Sequence, residues 1–360
     1  MANAPNYEKE VRIASLAVQR ASILTKTIQN EIHRANAQLP DGSPVAIVQF
    51  ASQVILMNAI LHHFPSDRFA GEKSASALRD DPVLARRVWE LVSMAKLGHI
   101  EGEDLVVVPG TLEEMLGSID AEGDGERPGA QRTWFLGPID GTKTFMRGQQ
   151  YAVSLTLVES GEQKVGVVGY PNLAFENRCD REDVVRDGYG IMLSAVKGQG
   201  AYKRWMAQSS LQPPQRNSLG PWRRMGETIT FAESSISHVV NKEKHRFIRS
   251  MLLANPVVDL HSMQVRYAAL ATGACNAMIC LPKDKNTRFP AWEHAGGMLI
   301  FEESGGIVTD LYGRPFNYAR GTRLTDNEGL VAAKPGLHVD LLRYSRHIYE
   351  KDLSLLALDA

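Results

Sequence analysis

Trp134-Phe135-Leu136-Gly137-Pro138-Ile139-Asp140-Gly141-Thr142-Lys143-Thr144-Phe145 is the stretch on which the reading of this chain turns. Taken alone, Gly137 is a turn residue ahead of Pro138. A second stretch, Trp292-Glu293-His294-Ala295-Gly296-Gly297 followed by Glu302-Glu303-Ser304-Gly305-Gly306, reads as a helix stopped by two glycines. Between and around them the apolar pattern changes period. Tyr151–Val158 and Val165–Tyr170 are β-rich runs separated by Glu159-Ser160-Gly161-Glu162, which predicts an antiparallel hairpin. Upstream, Ile13, Leu16, Ala17, Leu24 and Ile28 follow a helical period, as do Phe50, Val54, Met57, Leu61 and Phe64 up to Pro65-Ser66-Asp67. The Ser/Pro/Gly-rich run at 208–226 reads as an exposed connection, which predicts two domains, 1–226 and 227–360. Beyond it, Thr228–Ala232 and Ala277–Leu281 read as strands, and Val265–Thr272 and Trp292–Glu303 as helices, the alternation of a smaller α/β unit.

Bulk properties narrow the class. The chain has 360 residues, enough for two packed domains. Lys+Arg number 40 against 41 Asp+Glu, so there is no electrostatic argument for a nucleic-acid polymer or an anionic membrane. Cys179, Cys275 and Cys280 are too few and too unevenly spaced for a disulfide framework or a zinc knuckle, and read as buried thiols of a reducing compartment. The first twenty residues mix acids and bases without an unbroken apolar run. A cytoplasmic protein acting on a small molecule is the expectation.

The two stretches together resemble the signatures of the inositol monophosphatase superfamily, W-x-x-D-P-I-D-G-T-x-x-F and W-D-x-A-(A/G)-G, in the right order and about 150 residues apart. Phe69-Ala70-Gly71-Glu72 is similar to the family's metal-binding Gly-Glu element, and Gly198-Gln199-Gly200-Ala201-Tyr202 to its Gly-x-Gly-Ala-aromatic turn. Gly169-Tyr170-Pro171-Asn172-Leu173, Phe145-Met146-Arg147-Gly148 and Gln264-Val265-Arg266-Tyr267 point to the bisphosphate nucleotidase branch, whose members remove a phosphate from phosphoadenosine phosphate. The resemblance implies an α/β (α+β) fold layered αβαβα in two packed domains. It places Glu72, Asp140, Thr142 and Glu293 in one cleft between them.

The chemistry implied is hydrolysis assisted by two or three Mg²⁺ ions, which need a dense set of carboxylate oxygens. Carried over by position, Glu72, Asp140 and Thr142 are intact, while Glu293 replaces an aspartate and extends one methylene further. Gly137 stands where an aspartate would bridge metals, Gln49 where an aspartate would activate water, and Lys73 where a second glutamate would sit. Of these six acidic positions three stay acidic and one turns basic, taking the formal charge from −6 to −2. Like charges about 4 Å apart repel by roughly 4 kcal/mol near a surface, so Lys73 would oppose a metal there. No metal is therefore expected, and if one binds, Glu72, Asp140 and Glu293 are its ligands. At the nucleotide end Met263, Arg266 and Cys280 take the clamp positions, with His261 and His294 as further candidate substrate contacts.

Three functions follow from different classes. The first is a repurposed metal-independent acid–base enzyme of isomerase, dehydratase or cyclase type using Glu72, Lys73, Asp140, Thr142, Glu293 and Gln49. The second is a Mg²⁺-dependent phosphatase acting on a bisphosphorylated nucleotide or inositol phosphate with a reduced metal set. The third is a non-catalytic binding protein. The altered charges, which refit a cleft rather than empty it, put the first ahead at this level.

Overall fold

The computed structural model describes residues 6–34, 43–71, 76–120, 132–173, 187–220, 228–254, 256–284 and 286–351. Helices α1 (Glu8–Arg34) and α2 (Ser43–His63) lead into strand β1 (Arg68–Ala70), then α3 (Ser76–Asp80), α4 (Pro82–Met94), α5 (Ile100–Leu105) and α6 (Leu112–Asp120). Next come β2 (Thr133–Asp140), α7 (Thr142–Met146), β3 (Ala152–Glu159), β4 (Glu162–Tyr170), β5 (Ile191–Val196), β6 (Gly200–Trp205) and β7 (Gln215–Asn217). The remainder is β8 (Phe231–Glu233), α8 (Lys242–Met251), β9 (Val257–Asp259), α9 (Met263–Ala271), β10 (Ala277–Cys280), α10 (Ala291–Glu303), β11 (Ile307–Thr309), β12 (Leu330–Ala333) and α11 (His338–Glu350).

Strands β1 to β7 form one sheet in sequence order, antiparallel except for the parallel β1–β2 pair. The second sheet runs β11-β12-β10-β8-β9, with β8 parallel to both neighbours. Side chains of a strand alternate faces, and that alternation sorts the sheets into three cores. Trp134 and Leu136 of β2 pack with α1, α2, α4 and α6, whereas Phe135 faces α9, α10 and the second sheet. Met278 and Cys280 of β10 join the same middle core, while Ala277 and Ile279 face Ile248 of α8 and Leu341 of α11. The layers are thus helix, sheet, helix, sheet, helix. Val45–His63 of α2 is long and apolar enough to cross a membrane, yet 72% of that stretch is buried within the protein, as a core helix requires.

Several signature residues serve this packing. The Trp134 indole donates to Asp67 Oδ2 at 2.8 Å, and Arg132 Nε donates to Asp67 Oδ1 at 3.0 Å, so Pro65-Ser66-Asp67 both ends α2 and holds β2. The glycine pair of α10 lets that helix approach its neighbours: a Cβ on Gly296 would stand 2.8 Å from Thr156 Oγ1, and one on Gly297 2.6 Å from Tyr267 Cβ. The Gly297 N–H donates to Gln264 Oε1 at 2.8 Å, pinning α10 to α9. Gly297→Ala is therefore expected to destabilise the protein by about 1–3 kcal/mol through overpacking, which outweighs the gain of up to about 1 kcal/mol in helix propensity. Denaturant unfolding of the two proteins side by side checks this; a variant as stable as the parent would refute it.

The hairpin and both long N-terminal helices lie where the apolar pattern predicts them. The strand expected from Thr228 starts only at Phe231, because Thr230 is engaged by Asn276: its N–H donates to the Asn276 side chain at 2.8 Å and its carbonyl accepts from the Asn276 N–H at 2.9 Å. Cys275 and Cys280 are free and buried, whereas Cys179 lies outside the described residues.

Candidate active site

Asp140 is the last residue of β2, and the pairing with β3 shifts register between Gly137 and Asp140. Proline has no N–H for the ladder, and the bulge across Pro138-Ile139 turns the strand's end. Ser52 of α2 donates to the Pro138 carbonyl at 2.9 Å, tying the bulge to the helical layer. Gly141 then adopts φ 93°, and a Cβ there would meet Thr144 Oγ1 at 2.7 Å, so the turn into α7 requires glycine.

Two side chains meet this turn from other elements. Gln49, buried in α2, donates from Nε2 to Thr142 Oγ1 at 3.4 Å, so position 49 does face the signature threonine. Asp140 Oδ2 accepts from Ser262 Oγ and from the Gln264 N–H, each at 2.6 Å. Ser262 is the N-cap of α9 and also accepts from the Val265 N–H at 3.1 Å. The carboxylate thereby ties the end of the first sheet to the start of α9, which carries Arg266 less than two turns further on.

These elements enclose a cleft of about 480 Å³, within the usual range for a small-ligand site. Asp140, Thr142, Glu293, His261, Met263 and Arg266 all line it. The Arg266 side chain is 7% exposed, it hydrogen-bonds the Cys280 thiol, and its Nε has no partner among the described residues. Burial pushes the Cys280 thiol up, so it is a neutral wall group rather than a nucleophile. His261 Nδ1 lies 3.5 Å from Asp259 Oδ1 and 3.4 Å from Ser234 Oγ. His294 is not part of the lining. It is fully buried, with Nδ1 3.0 Å from the Tyr267 hydroxyl, which corrects its expected role as a substrate contact. Glu72 and Lys73 lie outside the described residues.

Burial, with the Arg266 charge adding to it, pushes His294 down to about 3. The folded protein keeps this ring neutral while the unfolded chain protonates near 6.5, so the stability is present above pH 6.5 and lost as pH falls toward 3. His294→Gln is expected to flatten the fall in unfolding free energy between those limits by about 1.4 kcal/mol per pH unit. Parallel slopes for parent and variant in denaturant titrations would contradict that.

Lys143, Arg288, Arg323 and Ser262 are site residues that sequence reading missed. A serine immediately before the apolar run of α9 is a legible N-cap signal for Ser262. The arginines had none, since nothing local relates positions 288 and 323 to the signatures.

Glu72, which the resemblance makes a Mg²⁺ ligand, lies outside the described residues, so only the other positions can be compared with such a site. Among the described residues, no three His, Cys, Asp or Glu side chains gather as a cluster of two or three Mg²⁺ ions demands. The carboxylates of the cleft are Asp140 and Glu293, and Asp140 Oδ2 already accepts two hydrogen bonds. A Cβ on Gly137 would stand 2.3 Å from Ser154 Oγ, so that hydroxyl takes the space a side chain would start from.

The family model for inositol monophosphatases matches residues 8–349. The chain belongs to the inositol monophosphatase family. Within it, the chain is 34% identical over 343 residues to a 3′(2′),5′-bisphosphate nucleotidase of Emericella nidulans, covering 94% of this chain and 97% of that one. It is 31% identical to the 3′(2′),5′-bisphosphate nucleotidase of Schizosaccharomyces pombe over 354 residues, 96% and 98% of the two chains. Among solved structures, inositol monophosphatase II of Staphylococcus aureus superposes with a TM-score of 0.57 at 17% identity, covering 95% of this chain and 94% of that one. SuhB of Mycobacterium tuberculosis superposes with a TM-score of 0.56 at 17% identity, covering 96% and 98%. The layered fold is that of these phosphatases. The expectation of a repurposed isomerase, dehydratase or cyclase is overturned, because relatives matched over nearly the whole chain at 34% identity are bisphosphate nucleotidases. Charge changes at a few positions do not by themselves imply another reaction.

Proposed function

We propose that this member of the inositol monophosphatase family is a phosphatase that removes the 3′(2′)-phosphate of a nucleoside 3′(2′),5′-bisphosphate. The observation that carries the reading is the placement of Asp140, Thr142, Glu293 and Arg266 around one cleft, in a chain similar to named bisphosphate nucleotidases over nearly its full length. Water oxygen bonds to phosphorus, the ester P–O bond breaks, and the leaving ribose oxygen takes a proton, yielding nucleoside 5′-phosphate and inorganic phosphate.

The roles follow from the donors present. Thr142 Oγ1 accepts from Gln49, so its own proton points outward to a phosphate oxygen or the attacking water. An amide cannot accept a proton at neutral pH, so Gln49 positions the threonine, and proton removal from water falls to the Asp140 or Glu293 carboxylate. Arg266, desolvated and always charged, attracts the anionic ligand into the cleft. His261, with Met263 and the apolar lining residues, faces the nucleoside.

The test is phosphate release from adenosine 3′,5′-bisphosphate by the purified protein across Mg²⁺ concentrations from micromolar to millimolar. Turnover on the order of 1 s⁻¹ or faster with adenosine 5′-phosphate as product is expected. No release above the uncatalysed rate at any Mg²⁺ concentration overturns the reading.

A further inference from the structure

Behind the cleft, three polar side chains are packed into the interior. Lys26 and Gln29 stand three residues apart on one face of α1, each 2% exposed, and Asn172, in the turn that follows β4, is fully buried. Lys26 Nζ donates to Asn172 Oδ1. Asn172 Nδ2 donates to Gln29 Oε1 at 2.9 Å and to the Gln149 carbonyl at 2.6 Å, and Gln29 Nε2 donates to the Phe145 carbonyl at 2.9 Å. These bonds run in one direction. An ammonium can only donate and a carbonyl can only accept, so the two amides between them are held with oxygen toward the lysine side and nitrogen toward the carbonyls.

The receiving carbonyls belong to the far side of the turn that carries Asp140 and Thr142. Phe145 lies in α7, whose five residues are too few to hold a helical turn unaided. Its N–H donates to the Gly141 carbonyl at 2.8 Å, directly onto the residue between Asp140 and Thr142. The Gln149 N–H donates to the Thr144 carbonyl at 2.8 Å, so the second receiving residue closes the loop after the same helix. Lys26, Gln29 and Asn172 do not line the cleft, so any effect they have on the reaction passes through α7.

The geometry points to Lys26, Asn172 and Gln29 as positioning residues, a one-way hydrogen-bond relay that clamps the C-terminal end of α7 and thereby sets where Asp140 and Thr142 sit in the cleft. The inference rests on the nucleotidase reading and adds to it residues that touch neither phosphate nor water. Stability alone does not call for them, because desolvating an ammonium is costly and apolar side chains of similar length commonly serve a core as well. What the relay supplies, and methionine cannot, is orientation. A misplacement of about 1 Å in a catalytic group costs roughly 10²-fold in rate.

The experiment is steady-state kinetics on adenosine 3′,5′-bisphosphate, at the Mg²⁺ concentration that gives the parent its highest rate, for the parent, Gln29→Met, Lys26→Met and the double variant, each at a temperature where denaturant unfolding shows it folded. Gln29→Met should lower kcat about 10-fold or more while KM changes less than about threefold, because the walls that bind the nucleotide are untouched. The Phe145 carbonyl keeps the Gly148 N–H at 3.0 Å, so this variant is expected to fold. Lys26→Met should show the same split. The double variant should be about as slow as the slower single variant, since cutting one relay twice adds nothing. Where one single variant is too unstable to assay, the split between kcat and KM in the other decides. Rate losses that multiply in the double variant, or a kcat within about threefold of the parent in the assayed single variants, overturn the relay and leave the nucleotidase reading intact. A parent without turnover overturns both.

Discussion

Asp140→Asn is expected to lower kcat/KM for adenosine 3′,5′-bisphosphate by roughly 10²-fold or more while leaving the fold in place. The asparagine carbonyl oxygen can still accept from Ser262 Oγ and the Gln264 N–H, which both reach Asp140 Oδ2 at 2.6 Å. Only the negative charge and the proton-accepting oxygen are lost. Asp140→Ala removes the anchor as well, leaving the Gln264 N–H and the Ser262 hydroxyl without an acceptor, at a cost of about 1–3 kcal/mol. Steady-state kinetics and denaturant unfolding of both variants separate the two roles: the asparagine variant fails in turnover alone, the alanine variant in both. Equal rates in parent and asparagine variant would take proton removal away from Asp140 and leave it to Glu293.

Gly137→Asp is expected to tighten Mg²⁺ binding by about 10- to 10²-fold, because it adds a ligand charge to a cleft wall where, among the described residues, Asp140 and Glu293 are the carboxylates. The backbone tolerates the change. The new Cβ meets only Ser154 Oγ inside 3 Å, and its next neighbours are Ser154 Cβ at 3.6 Å and the Trp292 carbonyl at 3.8 Å. A rotation of the Ser154 hydroxyl, which has no hydrogen-bond partner among the described residues, makes room and gives the new carboxylate a donor. Calorimetric titration with Mg²⁺ reads the effect directly, without reference to turnover. Parent binding in the millimolar range that shifts by less than threefold in the variant would show that position 137 does not face the ion.

How much of this was legible without coordinates depends on the distance over which each feature is encoded. The α1 and α2 helices, the β3–β4 hairpin and the Gly305-Gly306 stop follow from apolar period and turn chemistry, which act over a few residues. The signature Asp140-Gly141-Thr142 was legible through the family resemblance, whereas the left-handed φ of 93° at Gly141 came only from the fold. The pairing of Gln49 with Thr142 was reachable only through the family resemblance, since it joins α2 to α7 across 93 positions.

Tertiary structure alone decided the rest. His294 reads as polar beside an acidic neighbour, yet the α10 face it occupies is pressed against Tyr267 and Phe289, so burial rather than residue type sets its state. Trp134 and Gly297 sit in signatures but act as an indole anchored to Asp67 and a gap for Tyr267, roles set by which layers meet. Arg288 and Arg323 share a rim only because two segments of the second half bridge through Pro290. A linear pattern specifies the faces of a helix or strand through its period, so the sequence by itself determined the long N-terminal helices, the hairpin, the family and the signature carboxylate at Asp140. Which charges gather around a cleft depends on loop closures between distant segments, whose geometry is set by the packing of five layers and has no periodic trace in the chain.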